Sequence, residues 1–167
     1  MSGVLRRLVL GSPSTISGTV YGTIVVMAAL TAGGPSFEDE PWRLLTAVVG
    51  TAVIFWFAHV YAHGLGESIA LGRRLDIAEL GAIARREISI LLAVVLPALS
   101  LLLGAIGVLG DATAVWLAVG IGAATLTAQG LRYARLERLG PFAAALTIAV
   151  NLGLGLAIVA IKVVLAH

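Results

Sequence analysis

Cysteine is absent from the 167 residues, which excludes disulfides, thiolate metal sites and thiol chemistry. Charge is scarce. Eleven basic and nine acidic residues make up 12% of the chain, about half the ~25% of an ordinary soluble domain. That shortage excludes a water-facing globular enzyme and a disordered tail, and the basic residues are too few for a nucleic-acid face. The sequence also lacks a Gly-x-Ser-x-Gly elbow, paired aspartates in facing apolar stretches, and a full set of metal ligands. Haem ligation needs histidines on opposed helices, whereas His59 and His63 share one stretch. No enzyme activity and no cofactor are therefore expected. What the chain has in quantity is apolar surface, with 59% hydrophobic residues and 20 glycines.

A hydrocarbon layer ~30 Å thick takes about 20 mostly apolar residues per helix. Five stretches meet that need, at 14–31, 43–63, 88–109, 112–133 and 142–166. The expected fold is an all-α polytopic membrane bundle of about five transmembrane helices in a single domain. Gly33-Gly34-Pro35 ends the first stretch, Pro41 opens the second, and Gly140-Pro141 separates the last two. Asp111 is placed to cap the fourth. The apolar run from 16 to 32 is read as a retained first span rather than a cleaved leader.

Arginine placement sets the direction. Arg6, Arg7, Arg73, Arg74, Arg85, Arg86, Arg132, Arg135 and Arg138 fall in alternate connections, and only Arg43 and Lys162 fall on the other side. Positive residues favour the cytoplasmic face, so the N-terminus is expected inside and the C-terminus outside. The long connection, 64–87, is then cytoplasmic. Within it Asp76 and Glu79 have the spacing of a capping box, and the residues after them suit a short interfacial helix.

Helices in lipid associate through small residues and shared polar contacts. Ser14, Gly18 and Gly22, then Ser100 and Gly104, then Ala118 and Gly122 with Gly120 and Ala124, have the four-residue spacing of such contacts. They suit a compact bundle and a homo-oligomer equally. Pro97 lies mid-stretch, where it removes a helical hydrogen bond and marks a candidate gate or hinge.

Polar groups inside the hydrocarbon are costly and point to function. His59, His63 and Glu67 step along one helix face at four-residue spacing, a ladder suited to proton relay because imidazole ordinarily titrates near neutral pH. The same histidine spacing also suits a metal pair, or hydrogen bonds to neighbouring helices. In the last stretch Thr147, Asn151 and Lys162 share a face, and Lys162 is close enough to the end to reach the outer surface. Tyr21 and Gln129 complete the candidate path.

The segments Val20-Tyr21-Gly22-Thr23-Ile24, Phe55-Trp56-Phe57-Ala58-His59-Val60-Tyr61 and Ala114-Val115-Trp116-Leu117-Ala118 resemble a family of small actinobacterial multipass membrane proteins. The similarity covers nearly the whole chain. It implies topology and a bacterial cell (inner) membrane location, and carries no assigned activity. The chain is more distantly similar to bacterial relatives of the lysosomal potassium channel. Their first helix carries Phe-Ser-Asp where this chain has Val20-Tyr21-Gly22, so potassium selectivity does not carry over. Two functions are expected from these features. One is a homo-oligomeric channel or transporter for a proton or small ion, with the lipid bilayer and a second copy as partners. The other is a non-catalytic accessory protein of a larger membrane complex.

Overall fold

Among the described residues proline is the first residue of three of six helices, where its missing N–H costs no intrahelical bond. These are α1 (Pro13–Ala32), α2 (Pro41–Leu71) and α6 (Pro141–Leu165). Between α2 and α6 lie α3 (Ile77–Arg86), α4 (Ser89–Ala105) and α5 (Asp111–Leu136). The structure is a computed structural model that describes residues 13–32 and 40–165, among which no strand occurs. Arg6, Arg7, Gly33-Gly34-Pro35, Glu38 and Asp39 lie outside the described residues.

Among the described residues three helices can cross a membrane by length and composition: α2, α5 and Pro141–Ile158 of α6. The pair α3 and α4, bent by 46° at its break, makes a fourth if it is one span. Over Thr15–Thr31, α1 is apolar but shorter. Long apolar helices of this kind fit a membrane-embedded, multipass protein. Their outward faces carry large apolar side chains, among them Ile54, Phe57, Leu96 and Trp116, each at least 60% exposed.

The bundle is built around α1, which packs against α2, α4, α5 and α6. A helix that is apolar on every side belongs in an interior, and Val26 and Met27 are fully buried there. Close approach is possible because small residues meet large neighbours. A Cβ on Gly22 would lie 2.6 Å from the Ile90 carbonyl oxygen and 2.9 Å from Ile90 Cα of α4. Gly18 faces Ser89 in the same contact, and Gly122 of α5 faces Met27 across the bundle. Gly104 meets Ala114 and Pro41. Most of the small-residue spacings therefore serve contacts inside this chain, whereas Gly120 meets nothing within 4 Å. Ser14 lies outside the residues whose side chains are described.

Hydroxyls in these apolar surroundings are satisfied within their own helices. Thr19 donates to the Thr15 carbonyl and Thr23 to the Thr19 carbonyl, both at 2.7 Å. Thr31, Thr125 and Thr147 donate back to their own helices in the same way. Ser100 differs: its Oγ donates 2.7 Å to the Ala114 carbonyl of α5, tying two helices together rather than repairing the turn around Pro97.

The boundaries depart from expectation in three places. Residues 64–71, expected in a connection, continue α2 for two more turns. Gly64 fits beneath Leu80 and Ile83 of α3, and the helix closes only at Gly72, in a left-handed conformation (φ 64°). There the Gly72 N–H donates to the Ile69 carbonyl and the Arg73 N–H to the Ser68 carbonyl, the paired bonds of a Schellman motif. Gly107 (φ 76°) closes α4 by the same device, so the helix ends at Ala105, four residues before the expected 109. Asp111 is not a cap. Gly110, in an extended conformation, holds that position without a side-chain bond, and Asp111 is the first helical residue. Its carboxylate still lies at the positive end of the helix dipole.

The capping box of α3 forms as its spacing suggests. Glu79 N–H donates to Asp76 Oδ1 and Asp76 N–H to Glu79 Oε2, both at 2.8 Å. Arg73 adds a bidentate pair to the Glu79 carboxylate, at 2.6 and 3.0 Å. Trp56 of α2 donates its indole N–H to the Ala84 carbonyl at 3.2 Å, holding α3 against α2.

Two outcomes are expected. Gly22→Ala should lower thermal stability in detergent by about 1–3 kcal/mol, the scale of overpacking against a rigid neighbour. Gly66→Ala, where nothing lies within 4 Å, should be neutral or stabilising. Separately, the Arg73 and Asp76 bonds hold the Glu79 carboxyl down from 4.5 to about 2. A lowered carboxyl pKa stabilises the fold above the ordinary value, and that stability is lost as pH falls through the lowered one. Amide exchange in the first turn of α3 should therefore accelerate as pH drops from about 4.5 toward 2, after correction for intrinsic exchange rates. Glu79→Gln should remove the pH dependence.

Candidate functional site

The starts of α1, α4 and α6 and the ends of α2 and α5 gather at one end of the bundle, where two cavities flank α1. The first has a volume of about 550 Å³. Its walls are Ser17, Gly18 and Tyr21 of α1, His59 and His63 of α2, and Arg86 with Glu87 at the break between α3 and α4.

The i, i+4 spacing brings His59 and His63 into contact, edge to face, with ring centroids 5.4 Å apart. Tyr21 lies against His59 at 4.5 Å, with a 44° tilt. His63 Nδ1 is 3.1 Å from Glu87 Oε1. The Glu87 side chain is only 8% exposed, and Arg86 Nε approaches the same oxygen at 3.5 Å. A buried carboxylate is tolerated only where positive or hydrogen-bonding groups replace its water. Here an imidazole from one helix and the guanidinium of the preceding residue do so. Ser89, one turn into this corner, has a buried hydroxyl with no hydrogen-bond partner among the described residues, and it faces Gly18.

His59 and His63 are thus brought together as their spacing suggests, and Tyr21, whose partner the sequence left open, joins them. Glu67 is not with them. Arg86 Nη2 takes its carboxylate at 3.1 Å, at the partly exposed rim, and Glu67 does not line the cavity. Glu87 occupies the place beside His63. Asn151 and Tyr21 border the second cavity, of about 480 Å³, between α1, α5 and α6. Gln129 is buried in α5, where its Oε1 accepts from Arg132 at 3.5 Å, and it lines neither cavity. Pro97 is buried within a helix that runs unbroken from Ser89 to Ala105, and the angular break lies instead at the junction of α3 and α4. Lys162 lies outside the residues whose side chains are described.

The sequence marks Arg86 only for orientation, and Glu87 and Ser89 not at all, so none of the three was expected at the site. The signal available was weak: an acidic residue directly after an Arg-Arg pair, at the edge of an apolar run. Comparison with protein-family models, with curated proteins and with solved structures finds no match to this chain.

The two carboxylates near Arg86 should differ in worth. Glu87→Ala removes a buried, doubly contacted charge and should cost about 1.5–3 kcal/mol. Glu67→Ala removes a half-exposed partner and should cost less than about 1 kcal/mol. Equal losses in a thermal melt of the two variants would contradict this ranking.

Proposed function

We propose that this protein is a small integral membrane channel or transporter for a proton or small ion, and that the first cavity is the entrance to its path. The observation that carries the reading is the convergence of Tyr21, His59, His63 and Glu87 on one 550 Å³ space. Side chains able to give and take protons rarely collect in an apolar bundle without a use. In the proposed relay a proton on His63 passes to Glu87 across the 3.1 Å contact. Exchange between His59 and His63, with rings 5.4 Å apart, goes through a bridging water. Glu67 and Arg86 form the charged rim.

In this reading all five apolar stretches cross the bacterial inner membrane, with the N-terminus inside and the C-terminus outside. The cavities then open toward the cytoplasm, because Arg73, Arg74, Arg85, Arg86, Arg132, Arg135 and Arg138 belong to the connections at that end. The family of small actinobacterial multipass proteins that the chain resembles has the same topology. We place the working unit as a homo-oligomer, since the described cavities flank α1 at one end only and a continuous path needs a further wall.

Purified protein in liposomes should carry a proton, potassium, sodium or chloride flux above that of empty vesicles. His59→Ala and His63→Ala should each lower proton flux by at least about tenfold, with expression and monodispersity retained. Unchanged proton flux in both variants would end the relay. No flux of any of the four ions from a folded, monodisperse sample would favour the accessory role in a larger complex.

A further inference from the structure

The second cavity has a different chemistry from the first. Its long wall is apolar, formed by Ile16, Val20 and Ile24 on successive turns of α1. Eight residues of helix rise make this a slot about 12 Å long. Polar groups sit at intervals along it: Tyr133 and Glu137 at the end of α5, Asn151 on α6, and Tyr21. Among the described residues none of these four side chains makes a hydrogen bond or ion pair. Among the described residues Glu137 is the one charged residue lining the slot. Its neighbours Arg135 and Arg138 are exposed and do not line it. Arg138 takes a left-handed conformation (φ 54°), which an arginine adopts only at a cost, and in doing so turns the chain directly after Glu137.

We propose that this slot binds amphiphilic organic cations, with the apolar body along α1 and the amine or onium charge held at the Glu137 carboxylate beside the Tyr133 ring. A volume of 480 Å³ falls in the ~300–1,000 Å³ range of small-molecule sites, which combine apolar walls with a few convergent polar groups. An unpaired carboxylate at the edge of a low-dielectric slot attracts positive charge strongly, and an aromatic ring adds to it. Among the described residues no basic side chain lines the slot to receive an anion. A plain hydrocarbon chain would leave the polar groups without partners. The site shares only Ser17 and Tyr21 with the histidine cavity and does not depend on ion flux through it.

The test is equilibrium binding of tetraphenylphosphonium to the purified full-length protein in nanodiscs, with tetraphenylborate as the same shape of opposite charge. Saturable binding of the cation is expected, weakened at least about tenfold in Glu137→Gln and likewise in Val20→Phe, which fills the slot. Glu137→Lys should shift preference toward the borate, and His63→Ala should bind the cation as the parent does. Loss of flux in His63→Ala with cation binding intact separates this site from the proposed ion path. Non-saturable uptake, equal binding of the two probes, or full affinity in Glu137→Gln would overturn the inference.

Discussion

A carboxylate removed from water must be given other partners, and in this bundle that requirement falls on Glu87. Its side chain is 8% exposed, and its partners come from two directions: His63 from α2 and Arg86 from the preceding residue. Meeting both fixes the geometry around it. The end of α2 must lie against the start of α4, so α3 must fold back between them, and the chain bends by 46° at the break. The backbone stays bonded through that bend, with Glu87 N–H donating to the Ile83 carbonyl and Ile90 N–H to the Glu87 carbonyl. The space left between this corner and α1 is the histidine cavity. An apolar residue at 87 would remove the reason for the corner to form where it does.

The other wall of that cavity depends on how closely α1 approaches α4. The 2.6 Å that would separate a Gly22 Cβ from the Ile90 carbonyl oxygen leaves no room for any side chain. Gly18 one turn earlier opens the cavity beside Ser89. Both cavities therefore depend on α1, whose glycines on one face and apolar residues elsewhere let it sit among four neighbours. Its threonines do not disturb this, since their hydroxyls bond within the helix.

Much of this was legible in the sequence. Pro41 and Pro141 mark helix starts, Asp76 and Glu79 mark a cap, and small residues at four-residue spacing mark most of the close contacts, because each of these signals acts over a few residues. His59 and His63 meet for the same local reason. Periodicity along one helix placed Glu67 with them, but it carries no information about other helices. Arg86, nineteen residues on, takes Glu67 to the rim, and Glu87 enters from an element whose direction no local pattern predicts. The extension of α2 past His63 is a tertiary effect of the same kind: Gly64 lets α3 lie against it. Asp111 shows the opposite limit, where a good capping residue gives way to Gly110 because the extended backbone needed before the helix falls one residue earlier.

The two cavities differ in charge but not in all their walls. Around the first, Glu87 is already answered by Arg86 and His63; in the second, Glu137 has no ion-pair partner among the described residues. Tyr21 belongs to both, lying tilted against His59 on one side and lining the slot on the other. A side chain shared in this way cannot shift for one cavity without changing the shape of the other. If a cation in the slot displaces Tyr21, the contact with His59 changes, and by reciprocity a change at His59 alters the affinity of the slot by the same factor. Two sites separated by a single aromatic ring need no long pathway for such coupling, only two positions of that ring with different free energies in the two occupancies.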